Sequence, residues 1–144
     1  MPSVTKRPKD LESQGPVLEV QFLISSDLEK KYREEGKEIP PPVIVNALID
    51  TGATSCVIKK EIPGKLGLQP VGEAQVTTPS DESVKCLTYF MRMIIPSHDL
   101  AYEGTFIAEP LEGQPISCLI GRDVLKESIL IYIGSENQFT LSIL

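Results

Sequence analysis

The chain has 144 residues, a formal net charge of −6 and 41% hydrophobic residues, which allows one domain with a packed core. The acidic balance excludes nucleic acid as a partner, because phosphate binding needs a basic face, and "KRPK" at Lys6–Lys9 is too short to supply one. No stretch approaches the ~18 apolar residues of a membrane span, so no membrane association is expected.

The opening "MPSVTKRPKDLESQG" lacks the apolar centre of a secretory signal and reads as a flexible tail over residues 1–15. A cytoplasmic location is therefore expected. Cys56, Cys86 and Cys118 are odd in number, isolated, and flanked by apolar residues. That pattern suits buried reduced thiols better than disulfides or a zinc site. The single histidine, His98, lies in the turn-like "IIPSHDLAY" and reads as a surface residue, which argues against a histidine-dependent nucleophile.

"PVLEVQFLI" (Pro16–Ile24) is rich in β-branched and aromatic residues and predicts the first strand. The charged segment 27–38 follows as a solvated insertion, with Ser26 or Asp27 placed to cap a short helix and Gly36 to end it. "IPPP" forces an extended chain back into a strand over Val43–Asp50. "CVIKKEI" reads as a strand or short turn, and "IPGKLGLQP" as a connection with Leu66 and Leu68 turned inward. "EAQVTT" and "SVKCLTYFMRMII", parted by the turn-forming "PSDE", predict a long hairpin with its tip near Pro79–Glu82. "AYEGTFIAEP" is another strand. "ISCLIGRDVLKES" begins as a strand, turns at Gly121 and enters a short helix from about Arg122 to Ser128. "ILIYIG" and "FTLSIL" form two terminal strands. Seven to nine short strands and one short helix make an all-β domain, closed or folded over on itself.

One stretch stands apart. In "VNALIDTGATSCVI" (Val45–Ile58) an apolar strand ends in a carboxylate, Asp50, followed by Thr51-Gly52. The backbone there emerges from core, and glycine permits a tight turn and close approach. A carboxylate so placed is shielded from bulk water. One carboxylate cannot be general base and general acid at once, and amide hydrolysis by carboxylates alone needs two that share a proton. The chain has no second Asp-Thr/Ser-Gly; Asp81 and Asp123 lack that setting. A two-fold axis is the remaining route: in a C2 dimer Asp50 meets its own copy.

"ALIDTGAT" (Ala47–Thr54) resembles the active-site loop of the retropepsin-like aspartic proteases, the single-domain family that includes the retroviral proteases. That family carries a second signature near its C-terminus, apolar residues then Gly-Arg-Asp or Gly-Arg-Asn leading into a helix, and "CLIGRDVL" (Cys118–Leu125) is similar to it. The triplet alone is weak; the two segments in this order are specific. The resemblance covers residues 16–144, a length that excludes the bilobal pepsin-like enzymes.

The resemblance implies a closed all-β barrel with one short C-terminal helix, assembled as a C2 homodimer that cuts polypeptides without metal or cofactor. Asp50 would hold the attacking water jointly with its symmetry mate. Thr51 would hydrogen-bond across the axis, Gly52 would lend its backbone to carboxylate and substrate, and Ala53 would keep the cleft floor small. Ile120, Gly121, Arg122 and Asp123 would support the loop, Arg122 through a salt bridge beneath it. Residues 75–87 would be a flap, with Thr77, Thr78, Pro79 and Ser80 facing substrate, and "FTLSIL" would interleave with its mate. Two departures stand out: the flap tip "TTPSDES" has no glycine, and Thr54 replaces the acid usual in retroviral enzymes. The alternative is a non-catalytic peptide-binding or dimerisation module on the same fold.

Overall fold

The computed structural model describes residues 2–77, 80, 82–95, 100–111 and 115–144. Strands β2 (Val17–Leu23), β3 (Val43–Ile49), β4 (Val57–Ile58), β6 (Ser83–Ile95), β7 (Leu100–Ala108) and β8 (Cys118–Ile120) form one sheet that closes on itself. The ring runs β2-β3-β8-β4-β7-β6 and returns to β2 through Gln21↔Ile94, Phe22↔Met93 and Leu23↔Arg92. Two of its contacts, β3–β8 and β4–β7, are parallel; the others are antiparallel. Closure removes free edges from the ring. The expected closed all-β barrel is thus observed.

Alternation explains the interior. Leu18, Val20 and Phe22 of β2 point inward while Glu19 is exposed, as a half-buried strand requires. Phe22 meets Phe106 edge to face at 5.2 Å between ring centroids, with Met91, Ile58 and Ile120 buried in the same core. Among the described residues strand β5 (Gly72–Thr77) pairs with β6 alone, from Gly72↔Thr88 to Thr77↔Ser83. It builds the hairpin expected over residues 75–87.

Among the described residues four α-helices rather than one are present: α1 (Leu11–Gln14), α2 (Ser26–Glu34), α3 (Glu61–Lys65) and α4 (Arg122–Leu125). The charged insertion 27–38 is largely α2. Its cap is Ser25, whose hydroxyl accepts from the Leu28 amide at 3.2 Å, and Gly36 takes a left-handed φ of 68° just past its end. Leu28 and Tyr32 rest on the core, and Glu29 pairs with Arg33 and with Arg92 of β6. The helix is therefore a packed element with a charged outer face. The reading of "IPGKLGLQP" as a connection missed α3, although Leu66 is buried and Leu68 partly buried as expected.

The N-terminal segment is the main correction. The flexible tail expected over residues 1–15 is not observed for residues 2–15: β1 (Ser3–Lys6) pairs antiparallel with β10 (Gln138–Ile143), and Val4 and Leu11 are fully buried. Ser3 and Thr5 join the hydroxyls of Ser142 and Thr140 at 2.6 and 2.7 Å, and the Leu11 amide donates to the Asn137 side chain at 2.8 Å. With β9 (Ser128–Ile133), these strands make a second sheet ordered β1-β10-β9. Its buried face carries Val4, Phe139 and Leu141.

Candidate active site

Two chain segments meet at Asp50. Parallel pairing sets Ile49 opposite Ile120, and the Asp50 amide donates to the Ile120 carbonyl at 2.9 Å. The strand ends there and the loop 50–54 folds back, with the Ala53 amide donating to the Asp50 carbonyl at 3.2 Å. The half-buried Asp50 carboxylate accepts from the Gly52 amide at 2.8 Å through Oδ1. Gly52 is not in the left-handed region. Its worth lies in space, since a Cβ there would stand 3.1 Å from Asp50 Oδ1, the oxygen that accepts its amide.

The second segment holds this loop from below. The Arg122 amide donates to the Ala53 carbonyl at 2.9 Å. Its guanidinium donates to the Thr51 carbonyl at 2.7 Å and to the Thr54 hydroxyl at 3.2 Å. The expected salt bridge is not formed: among the described residues Arg122 has no carboxylate partner, and Thr54 serves as acceptor in place of an acid. Gly121 is buried where the segments cross. A Cβ on it would fall 2.6 Å from the Ser55 carbonyl carbon and oxygen and 3.0 Å from the Ala53 oxygen.

Asp123 supports the site through a residue that the sequence reading treated only as a buried thiol. Its carboxylate accepts from the Cys56 amide at 3.1 Å, the Cys56 thiol at 3.1 Å and the Val124 amide at 2.9 Å. The Gly121 amide in turn donates to Cys56 Sγ at 3.3 Å. Buried amides without acceptors would cost about 1–3 kcal/mol each, so this small network keeps the two segments in register. The only sequence signal for it was a polarizable residue soon after the triplet and an acid just after Gly-Arg, far apart in the chain.

Burial pushes the Cys56 thiol up, and its hydrogen bond to Asp123 adds to that, against the Gly121 amide. Burial likewise raises Cys118. Cys56, Cys86 and Cys118 are all buried and free, as expected. Since the thiolate is the reactive form, Cys56 and Cys118 should resist iodoacetamide at mildly alkaline pH in the native protein and react after unfolding in urea. Peptide mass spectrometry of both samples reads this directly.

The other predicted residues are distributed as follows. Thr51 is exposed, and no partner for its hydroxyl is found among the described residues; Ala53 is half-buried. Ile120 is fully buried. Thr77 ends β5 and Ser80 follows it, both exposed. Thr78, Pro79, Asp81 and His98 lie outside the described residues. The hairpin is braced by Ser83 donating to Gln75 at 2.7 Å and by a Lys85–Glu73 pair at 3.4 Å. No group of three or more metal-ligating side chains is found among the described residues.

No protein-family model matches the sequence, and no curated protein matches it. A structural match exists to a retropepsin-like aspartic protease from Rickettsia conorii, with a TM-score of 0.50 and 13% sequence identity, covering 96% of this chain and 89% of that one. The fold is retropepsin-like. At that identity the similarity speaks for the fold. Among the described residues no helix is long and apolar enough to cross a membrane.

Proposed function

We propose that this protein is an aspartic endopeptidase in which two Asp50 carboxylates, one from each subunit of a homodimer, activate a water molecule against a peptide bond. The observation that carries this reading is the setting of Asp50. It leaves a buried strand, takes the Gly52 amide on one oxygen, and sits on a loop tied to β8 and α4 by four hydrogen bonds. Such a loop holds a carboxylate in one orientation, which is the condition for positioned proton transfer. One carboxylate takes a proton from water while its mate donates to the scissile carbonyl oxygen. The exposed Thr51 hydroxyl is free for a partner across the axis. The β5–β6 hairpin is the candidate cover for an extended polypeptide and would exclude water on closing.

The test is cleavage of a peptide library between pH 4 and 7 by the wild-type chain and by Asp50→Asn. Asparagine is isosteric, keeps an oxygen for the Gly52 amide and cannot exchange the proton. The expected result is cleavage favoured at the acidic end and a loss of about 10²-fold or more in the variant. Equal cleavage by the variant would remove Asp50 from the mechanism. One observation favours the second reading, a non-catalytic peptide-binding module: β10, the strand expected to interleave with its mate, is already paired on both sides within its own chain.

A further inference from the structure

We infer that the wedge between the β5–β6 hairpin and the barrel is a second binding site, for a small molecule with an aliphatic body and an anionic head, such as a medium-chain fatty carboxylate. It stands apart from Asp50: no residue of the loop 50–54 or of 120–123 lines it.

The wedge follows from strand register. β6 runs beside β7 from Ile95↔Leu100 as far as Thr88↔Ile107. There the two part. β7 ends at Ala108 and the chain leaves through Glu109 and Pro110, while β6 has β5 alone beside it over residues 83–87, among the described residues. The parting opens a cavity of about 400 Å³, a size at which proteins hold small ligands.

Its lining is apolar below and cationic above. Cys86 and Ala108 are buried and make the floor. Val84 and Leu87 flank them while still 39% and 43% accessible, so apolar surface there remains open to water. An aliphatic chain laid across it gains about 25 cal/mol for each Å² withdrawn from solvent.

Charge selects the head group. Both charged residues in the wall are lysines, Lys60 and Lys85, on a chain whose net charge is −6. Lys60 is exposed at the start of α3 and forms no ion pair among the described residues. Lys85 pairs with Glu73 at 3.4 Å, both side chains being exposed. Such a surface pair is worth about 0–1 kcal/mol and yields readily to another anion. Glu61 and Glu109 line a smaller hollow that shares Lys60 and Pro110 with the wedge, and neither belongs to the wedge itself. Two ammonium groups over an apolar floor favour a carboxylate-headed chain and repel an alkylammonium. The groove of about 360 Å³ beside α2, lined by Leu28, Tyr32, Val71 and Phe90 among others, has no charged residue in its wall, so nothing there selects a head group.

The experiment is isothermal titration calorimetry of the full chain with decanoate below its micellar concentration, with decyltrimethylammonium as the cationic counterpart. Lys60→Met and Leu87→Asp are titrated alongside. The expected result is saturable binding of decanoate, none of decyltrimethylammonium, and affinity weakened by about fivefold in Lys60→Met and further in Leu87→Asp, with unchanged circular dichroism spectra. Saturating decanoate should also slow alkylation of Cys86 by N-ethylmaleimide, read by peptide mass spectrometry. If a variant fails to fold, the contrast between the two probes and the protection of Cys86 on the wild-type chain decide the matter. Equal affinity of wild type and Lys60→Met for decanoate, or equal binding of the two probes, overturns the assignment of an anionic head. Absence of both heat and protection at millimolar decanoate overturns the site. None of these readouts uses peptide cleavage, so each outcome is separate from the fate of the Asp50 mechanism.

Discussion

An equimolar mixture of wild-type and Asp50→Asn chains, equilibrated before assay, is expected to retain about a quarter of the cleavage activity given by the same total amount of wild-type chain, because random pairing in a C2 dimer leaves about a quarter of the dimers with two carboxylates. The mixed dimers hold one carboxylate and one carboxamide. They have a group to accept the proton of water or to supply one to the carbonyl oxygen, but not both, and positioned proton transfer is worth about 10²–10⁴-fold. A site contained within a single chain would instead retain about half. The difference is read from initial rates on any peptide that the wild-type chain cuts. The substitution is suited to the purpose because the contacts of Asp50 that hold the loop survive it: the backbone bond to Ile120 is untouched and the amide of Gly52 still finds an oxygen.

Gly121→Ala should be the most damaging single methyl in the protein. The new Cβ would lie 2.6 Å from the Ser55 backbone and 3.0 Å from the Ala53 carbonyl oxygen, atoms that cannot rotate away as a side chain can. Relief requires separating the loop 50–54 from β8 and α4, which breaks the Arg122–Ala53 backbone bond and disturbs the Cys56–Asp123 contacts. Overpacking of this kind costs about 3 kcal/mol, on the order of 10 °C in the midpoint for a domain of this size. Activity should fall at temperatures where the fold survives, because the displaced segment carries Asp50. Gly64→Ala is the control. Gly64 lies within α3 with nothing within 4 Å of a new Cβ, so the substitution should be neutral or stabilising by about 0.5–1 kcal/mol. Thermal denaturation of the two variants beside wild type measures the contrast.

Much of the barrel was legible because its strands announce themselves locally. The runs at Val17–Leu23, Val43–Ile49 and Ser83–Ile95 are long and apolar enough to read without partners. The short elements were not. β1 contributes one inward side chain, Val4, from four residues; no periodicity can be detected in so little, and its pairing exists only because β10 offers an edge. The same holds for α3, whose Ile-Pro-Gly has poor helical propensity and is held by burial of Ile62 and Leu66.

The candidate site divides in the same way. A carboxylate at the end of a core strand, followed by Thr-Gly and later by Ile-Gly-Arg-Asp, is a local pattern, and the sequence alone was sufficient to single out Asp50 and the segment that supports it. The sequence also shows that the chain carries one such carboxylate, so the proposed mechanism needs a second from elsewhere. Only the tertiary structure decided that Arg122 grips a carbonyl and a hydroxyl rather than an acid, that Asp123 works through Cys56, and that Gly121 is needed for space. It likewise decided that β10 is closed off by β1 and β9, which are left as the outer strands of their sheet. These depend on which backbone groups lie within 3 Å of one another after residues about seventy, or more than a hundred, positions apart have been brought together. Local composition carries the propensity to form an element; it carries no record of which hydrogen-bonding groups another element has already satisfied.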